Sequence, residues 1–266
     1  MALVHQIKDL NSGATAPLTA KRLLANNFLS NLVLCLESRK GMVINMIKLC
    51  VFDVDGTLMD TLSSIAYHVN TMLEKMDFPQ IETEKFKYFA GNGRTVLIEK
   101  SLKYVGKFTK ENMKNACRIY DEAYESNPMY LTKPFDKITE EVKKIQAMGI
   151  KTAVLSNKPD NVVHFVIEDE NTFGKGFFDF IKGGTDGEPM KPDAKPLADI
   201  AKKMGVPIGE VCMIGDTNVD IFTGVNAGAK TIGVLWGFRD REELTNAGAD
   251  IIISEPSELS EAVGRL

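Results

Sequence analysis

The fold class of this chain follows from one stretch, Cys50-Val51-Phe52-Asp53-Val54-Asp55-Gly56-Thr57-Leu58. With Met46–Leu49 before it, its first half forms a short, β-branched apolar run, typical of a strand buried on both faces. Asp53 and Asp55 follow where the strand gives way to a turn, and open α/β sheets bind ligands at the carboxyl ends of their strands. Two carboxylates this close repel each other, so we expect a hard divalent cation such as Mg²⁺ between them. A plain acidic turn is the alternative, because Asp and Gly are common turn residues.

The composition is that of an ordinary soluble globular protein, with 44% hydrophobic and 26% charged residues in a chain of 266. That length accommodates one large domain or a core with a sizeable insert. The net charge of −4 gives no indication of a nucleic-acid partner, and no apolar stretch approaches the ~20 residues needed to cross a membrane. The cysteines lie far apart without paired spacing, which disfavours a zinc site or a disulfide framework and favours a cytoplasmic location; they are Cys35, Cys50, Cys117 and Cys212.

Residues 1–45 do not share the pattern of the rest of the chain. The moderately apolar run Leu23–Leu36 follows Lys21-Arg22, but asparagines interrupt it and no small-residue cleavage site follows, which argues against a signal peptide. The segment is also poor in arginine and contains acidic residues, unlike a transit peptide. We expect residues 1–45 to be a leader foreign to the fold, with Met46 as the working start. A native N-terminal helix is the alternative.

The stretch 62–133 shows helical periodicity throughout and no strand signal. Apolar residues recur at three- and four-residue spacing in three segments of it, Ile81–Phe89, Arg94–Val105 and Lys110–Ser126. A block this long is too long for an ordinary connection between neighbouring elements. We therefore expect an inserted helical cap over the carboxyl edge of the sheet, acting as a lid hinged near Thr61–Leu62 and Lys133–Pro134.

An alternation of strands and helices resumes at Pro134, so residues 46–61 and 134–266 are predicted to form one α/β core. Its further strands are predicted at Lys151–Leu155, Asp179–Lys182, Val211–Ile214, Thr231–Leu235 and Ile251–Ile253. Parallel strands joined by right-handed helical crossovers give a three-layer, Rossmann-like sheet.

Polar residues cluster at the ends of these predicted strands. They are Asp53 and Asp55 after the first strand, Ser156 and Asn157 after the second, Lys191 in the loop after the third, and Asp216 and Asp220 after the fourth. A parallel sheet gathers such positions at one edge. Carboxylates suit Mg²⁺, and a cation with hydroxyl, amide and N–H donors suits phosphoryl oxygens, so the mixture fits a metal-bound phosphate monoester.

The four clusters together resemble the motifs of the haloacid dehalogenase superfamily. The matching stretches are Asp53-Val-Asp55-Gly-Thr57, Ser156-Asn157, Lys191-Pro192 and Gly215-Asp216-Thr-Asn-Val-Asp220, in order and at family-like spacing from Met46 onward. The resemblance implies that Asp53 is a nucleophile that forms an aspartyl-phosphate. It implies that Asp55 is the general acid and base, a role that requires a pKa raised toward neutrality.

The resemblance also implies the remaining roles. Thr57, Ser156 and Asn157 would donate hydrogen bonds to the phosphoryl oxygens, and Lys191 would neutralise their charge. Asp216 would bind Mg²⁺ with Asp53 and the main-chain carbonyl of Asp55, and Asp220 would add a further acidic contact at the metal.

Each of these assignments has a structural alternative. Asp216 and Asp220 could favour a helix N-terminus, where negative charge is stabilised, and Ser156 could cap a helix. Lys191 could be a solvated loop lysine, with Lys195 as a competing candidate nearby. Ala194 stands where the family has a second proline after the lysine.

Two observations narrow the range of reactions that the resemblance allows. Asp55 favours phosphoryl transfer over dehalogenation, because a halide leaving group needs no proton. Ile65 stands ten residues after Asp55, where the phosphosugar mutase β-phosphoglucomutase has a histidine, which weakens the mutase reading.

Ala90–Leu97 and Gly233–Phe238 resemble the lid loop and the fifth-strand ending of phosphoglycolate phosphatases. Within the first stretch, Arg94 could pair with a substrate carboxylate, or be an ordinary surface residue beside an interhelical turn. The resemblance thus implies a Mg²⁺-dependent phosphatase of a small phosphorylated metabolite, most like a phosphoglycolate phosphatase. A phosphosugar or nucleotide phosphatase is the alternative, with a mutase or a non-catalytic binding protein less favoured. The sequence gives no indication of oligomeric state.

Overall fold

The computed structural model describes residues 46–266, so the prediction for residues 1–45 lies outside that range. The strands are β1 (Leu49–Phe52), β2 (Met59–Asp60), β3 (Lys133–Pro134), β4 (Lys151–Pro159), β5 (Phe180–Gly184), β6 (Val211–Gly215), β7 (Lys230–Val234) and β8 (Ile251–Ile253). The helices are α1 (Leu62–Lys75), α2 (Arg94–Tyr104), α3 (Lys110–Ser126), α4 (Ile138–Ala147), α5 (Asp160–Glu168), α6 (Lys195–Met204), α7 (Asn218–Ala227), α8 (Arg241–Asn246) and α9 (Leu259–Gly264). Short 3₁₀ turns lie at Thr83–Tyr88, Ile208–Glu210 and Pro256–Glu258.

Six of the strands form one parallel sheet in the order β5-β4-β1-β6-β7-β8. Strand β1 lies near the middle, between β4 and β6, and all four of its residues are buried. Because parallel strands start at one edge and finish at the other, the residues that follow β1, β4, β5 and β6 meet at the carboxyl edge. The predicted fold class, a three-layer α/β sheet, is confirmed.

Helices cover both faces of the sheet, as the side-chain alternation of β1 requires. Leu49 and Val51 pack on one face in a cluster with Leu197 of α6. Cys50 and Phe52 belong to the cluster on the other face, which includes apolar residues of α4, α5 and α9. Truncating a fully buried side chain such as Phe52 to Ala costs about 3–5 kcal/mol, so this strand is a main source of stability.

The helices α1, α2 and α3 lie between β2 and β3, which pair antiparallel through Met59↔Pro134 and Asp60↔Lys133. We call residues 61–132 the helical insert. Its own apolar side chains, such as Phe86 and Ile98, are fully buried and belong to the same cluster as Phe52. The predicted helical bounds agree within a residue or two for α2 and α3, while the predicted helix Ile81–Phe89 is the 3₁₀ turn Thr83–Tyr88.

Four elements differ from the sequence prediction, namely β2, β3, β4 and α8. Strand β4 continues past Leu155 to Pro159, because Pro159 still pairs with Gly184 after an irregularity in the register. The β2–β3 pair and helix α8 were not predicted; both are short, although the Asp240 side chain caps α8 by accepting from the Glu243 N–H at 2.9 Å. Within residues 46–266, no helix is long and apolar enough to cross a membrane.

Candidate active site

The carboxyl edge of the sheet brings together the polar residues that follow four adjacent strands. Asp53 comes directly after β1, and Ser156 and Asn157 lie in the final part of β4. Lys191 follows β5, and Asp216 follows β6. All five side chains are buried, with at most 7% of any residue exposed. The sheet order β5-β4-β1-β6 therefore explains why residues distant in sequence are neighbours.

Three carboxylates and one ammonium form the centre of this site. Asp53, Asp216 and Asp220 each offer a carboxylate oxygen within 4.8 Å of the others. Lys191 Nζ lies 2.8 Å from Asp53 Oδ1 and 2.6 Å from Asp220 Oδ1. The four groups carry a formal net charge of −2 in a buried environment, where unpaired charge is strongly unfavourable. This arrangement fits a divalent cation with oxygen ligands.

The electrostatics of the carboxylates agree with that fit. Burial, with the charges of Asp220 and Asp55, raises the pKa of Asp53 to about 7, although Lys191 acts in the opposite direction. Burial, with the charges of Asp220 and Asp53, also raises the pKa of Asp216 well above its usual range. Carboxylates that resist ionisation in the bare protein are stabilised when a cation lies between them.

Asp216 is held in place by donors and by two glycines. Thr57 Oγ1 donates to its Oδ1 at 3.1 Å, and the Phe238 backbone N–H donates to its Oδ2 at 2.7 Å. A Cβ added at Gly56 or at Gly237 would lie only 2.2–2.3 Å from Asp216 Oδ2. The carboxylate therefore packs directly on backbone that only glycine can supply. The Thr57 hydroxyl, predicted to contact phosphate, is used here to orient Asp216.

Asp220 serves a helix and the charge cluster at once. Its Oδ2 accepts from the backbone N–H of Thr217 at 3.1 Å and from Thr217 Oγ1 at 2.8 Å, at the start of α7. Its Oδ1 accepts from Lys191 Nζ at 2.6 Å. Asp220 therefore caps α7 and also contacts Lys191, while its predicted contact at the metal stays a prediction.

Asn157 connects the core with the helical insert. Its Nδ2 donates to the Lys191 carbonyl at 2.9 Å and to the Gly91 carbonyl at 3.1 Å. Its Oδ1 accepts from the Lys191 backbone N–H at 2.9 Å. The amide of Asn157 is thus occupied by main-chain partners, so it fixes the loop that carries Lys191. Ser156 Oγ accepts from the Lys158 N–H at 3.3 Å.

Lys158 is a site residue that the sequence prediction missed. Its Nζ lies 2.8 Å and 3.1 Å from the two carboxylate oxygens of Asp55, and 5.1 Å from the ring centroid of Tyr124 in α3. Burial alone would lower the pKa of Lys158, but attraction to Asp55 outweighs it and raises that pKa. The only sequence signal was its position next to Asn157, which does not distinguish a buried lysine from a solvated one.

The helical insert supplies the outer wall of the site. Gly91 and Gly93 adopt φ values of +102° and +83°, which favour glycine, and a Cβ at Gly93 would lie 3.2 Å from the Asn157 carbonyl oxygen. Arg94, the first residue of α2, forms an ion pair with Asp121 of α3. Its predicted pairing with a substrate carboxylate stays a prediction.

A cavity of about 610 Å³ lies between the insert and the carboxyl edge of the sheet. From the core it is lined by Asp53, Asp55, Ser156, Asn157 and Lys158, and from the insert by Gly91, Gly93, Arg94, Tyr120 and Tyr124. Its volume is that of a small-molecule site. The predicted nucleophile, the predicted acid and the predicted lid loop therefore face the same space.

Comparison with known proteins agrees with this geometry. Residues 50–234 match the family described as haloacid dehalogenase-like hydrolase. The phosphoglycolate phosphatase of Aquifex aeolicus is 30% identical over 80% of this chain and 94% of its own length. That of Psychrobacter arcticus is 31% identical over 79% of this chain and 90% of its own length.

Solved structures show the same architecture. A Lactobacillus delbrueckii protein assigned as a phosphoglycolate phosphatase superposes with a TM-score of 0.77 at 28% identity, covering 82% of this chain and 98% of its own. The CbbY protein of Rhodobacter sphaeroides, solved in complex with phosphate, has a TM-score of 0.70 at 20% identity, covering 83% and 100%; at that identity the likeness shows the fold alone. The family match spans more than half of the chain and includes Asp53, Asp55, Lys191, Asp216 and Asp220. The chain therefore belongs to the haloacid dehalogenase-like hydrolase family.

Proposed function

We propose that this protein is a divalent-metal-dependent phosphatase that hydrolyses a small phosphate monoester through an aspartyl-phosphate on Asp53. One observation carries the proposal: Asp53 lines the cavity, paired with Lys191 and grouped with the buried Asp216 and Asp220. A binding protein needs no nucleophile in such a position. The names of the relatives, phosphoglycolate phosphatases, support the same reaction.

In the first step, a carboxylate oxygen of Asp53 attacks phosphorus, and the bond from phosphorus to the leaving alkoxide breaks. Asp55 gives its proton to that alkoxide, which departs as the alcohol. In the second step, Asp55 takes a proton from water while the water oxygen attacks phosphorus. Inorganic phosphate leaves, and the carboxylate of Asp53 is restored.

The residues around Asp53 stabilise the charge that moves during these steps. Lys191 offers its ammonium 2.8 Å from the nucleophile, and the Ser156 hydroxyl lies in the cavity wall as a donor for the phosphoryl oxygens. Asp53, Asp216 and Asp220, with the main-chain carbonyl of Asp55, would hold Mg²⁺. The bound ion would supply positive charge that stabilises the transferring phosphoryl group.

The helical insert is proposed as the cap that closes over the substrate, with core segments 46–61 and 134–266 and a cap at 62–133. The chain leaves the core after β2 and re-enters it at β3, which pair with each other, and this supports hinges near Thr61–Leu62 and Lys133–Pro134. Phosphoglycolate is the proposed substrate, supported by the relatives' names. A phosphosugar or a nucleotide is the second candidate, because a cavity of about 610 Å³ has room for either.

The Asp53→Asn variant tests the reaction. Release of phosphate from p-nitrophenyl phosphate with Mg²⁺ is expected to fall by roughly 10⁴-fold or more, because the amide is not a nucleophile. EDTA is expected to abolish the activity of the unaltered protein. Asp199→Asn is the matched control, since Asp199 is exposed and, within residues 46–266, its one ion pair is with Lys195 on the same helix. Full activity of Asp53→Asn would overturn the assignment.

A panel of phosphate esters tests the substrate. We expect the highest kcat/KM for phosphoglycolate among phosphoglycolate, glucose 6-phosphate and a nucleoside monophosphate. A higher value for either of the latter two would replace phosphoglycolate with that class.

A further inference from the structure

Lys158 is a buried cation at the cavity to which the reaction above gives no role. Two cations line the cavity within residues 46–266, Lys158 and Arg94. The side chain of Lys158 is 8% exposed, whereas that of Arg94 is 29% exposed and is already paired with Asp121. Loss of its partner when a substrate enters would therefore leave Lys158 with far less solvent than Arg94.

Asp55 is the single ion-pair partner of Lys158 in the described part of the chain. Both carboxylate oxygens of Asp55 face the ammonium, at 2.8 Å and 3.1 Å. Nζ also lies 5.1 Å from the centroid of the Tyr124 ring, whose face stabilises a cation only weakly compared with a carboxylate. Because the side chain is only 8% exposed, solvent compensates little for the loss of that carboxylate.

The proposed chemistry requires Asp55 to turn at least one oxygen from Lys158 toward the oxygen of the leaving group. A buried ammonium that loses its partner is strongly destabilised, so this movement is unfavourable unless another anion takes its place. The leaving group is held beside Asp55 at that moment. An anionic group one or two bonds beyond the ester oxygen would thus be within reach of the same ammonium.

We propose that Lys158 is the specificity-determining residue of the site, and that it binds a carboxylate on the leaving-group side of the phosphate ester. The proposal rests on the function proposed above. Lys158 exchanges the carboxylate of Asp55 for that of the substrate, which frees Asp55 to face the ester oxygen. Substrates without a second anion leave the Lys158–Asp55 pair intact and react more slowly.

Phosphoglycolate and ethyl phosphate test the role of Lys158 directly. The two esters have the same chain length, but the first ends in a carboxylate and the second in a methyl group. We expect the unaltered protein to prefer phosphoglycolate. In Lys158→Met, kcat/KM for phosphoglycolate should fall by at least about 30-fold, the effect of removing one partner of a buried charge pair. The value for ethyl phosphate should fall much less, so the ratio of the two values, which measures the preference, collapses.

Three further variants keep the test decisive. Lys158→Arg retains the charge and should retain most of the preference, and its thermal unfolding shows whether the site still folds. Lys151→Met makes the same change at the exposed start of β4 and should leave both substrates unaffected. Equal loss on both esters in Lys158→Met would overturn the proposal in favour of a role confined to positioning Asp55. So would a collapse of the preference in Arg94→Met alone.

The two proposals can fail separately. If the unaltered protein hydrolyses p-nitrophenyl phosphate through Asp53 but shows no preference between the two esters, the role of Lys158 is wrong and the phosphatase stands. If it releases no phosphate from any ester, the proposed function itself fails.

Discussion

The charge cluster of the core and the outer wall of the cavity are built in opposite ways. Asp216 and Asp220 are 0% exposed, and each contacts at least two partners supplied by different segments of the core. Arg94 and Asp121 on the insert have side chains 29% and 34% exposed, and they pair mainly with each other. The comparison teaches that the carboxylates at the carboxyl edge are held by contacts of the fold itself, whereas the partly exposed Arg94–Asp121 pair of the outer wall can be replaced at smaller cost.

The largest effect should come from the core. Asp216→Asn is expected to lower kcat by about 10³-fold, because one proposed metal ligand is lost and charge stabilisation by a metal is worth several kcal/mol. Asp121→Asn on the insert is the matched change, and its effect on kcat should be below tenfold. Steady-state kinetics with p-nitrophenyl phosphate measures both. Similar losses in the two variants would break the contrast between core and wall.

Gly237, one of the two glycines that pack on Asp216, should be nearly as sensitive to substitution. A Cβ at Gly237 would lie 2.4 Å from Asp216 Cβ and 2.4 Å from the Gly56 carbonyl oxygen, so backbone has to shift. We expect Gly237→Ala to lower the free energy of unfolding by roughly 1–3 kcal/mol and to lower activity with it. Gly264→Ala is the control, because the nearest atom to its added Cβ is Met148 Cε at 3.8 Å. Urea unfolding of the two variants checks this; equal stability would contradict the close approach.

The pKa of Asp53 predicts how metal binding depends on pH. Because burial raises that pKa to about 7, Mg²⁺ must displace a proton below neutrality, and its affinity should rise up to about tenfold per pH unit between pH 5 and 7. Titration calorimetry in buffers of different ionisation enthalpy would detect the released proton. An affinity that is the same at pH 6 and pH 8 would contradict the shift.

Without metal, the raised pKa of Asp53 makes the free energy of unfolding fall as pH rises, whereas metal affinity rises with pH. The unfolded Asp53 ionises near the ordinary value of 3.8, whereas the folded one stays protonated up to about pH 7. The folded state therefore binds more protons in this window, and the contribution of Asp53 to the free energy of unfolding falls as pH rises from about 4 to 7. Thermal unfolding with EDTA at several pH values measures it.

The smallest effect on kinetics should come from replacing Arg239, which links the core to the helical insert. Arg239 Nη2 donates to the Ala90 carbonyl at 3.2 Å, and its guanidinium lies over the Tyr88 ring. Arg239→Met should raise KM a few-fold with little change in kcat, and amide hydrogen exchange in residues 88–93 should become faster. Arg241→Met, two residues on and exposed, should change neither. Unaltered exchange in Arg239→Met would show that the insert is held by other contacts.

The sequence was informative where chain topology decides position. Asp53, Asp55 and Asp216 could be placed at one edge, because strand periodicity and the rules of parallel sheets bring strand ends together. The family resemblance added their expected chemistry. Neither the topology nor the resemblance predicts which group each side chain contacts in the folded protein.

The rest required the folded chain. The end of β4 depends on the long-range pairing of Pro159 with Gly184, and the engagement of Lys158 depends on Asp55, 103 positions away in the sequence. Thr57 and Asn157 lie at the carboxyl edge, but their side chains donate to the Asp216 carboxylate and to the Lys191 carbonyl. Local sequence carries no information about such choices, since a hydroxyl or an amide can satisfy many partners.

The double engagement of Asp220 has a consequence for how the enzyme loses activity. The carboxylate that closes the first turn of α7 also anchors the ammonium of Lys191. Fraying at this helix end would release that lysine, and its neighbour Asp53 would lose a counter-ion in the same event. Under heat or denaturant, activity should therefore be lost as soon as this turn opens, while the sheet is still folded.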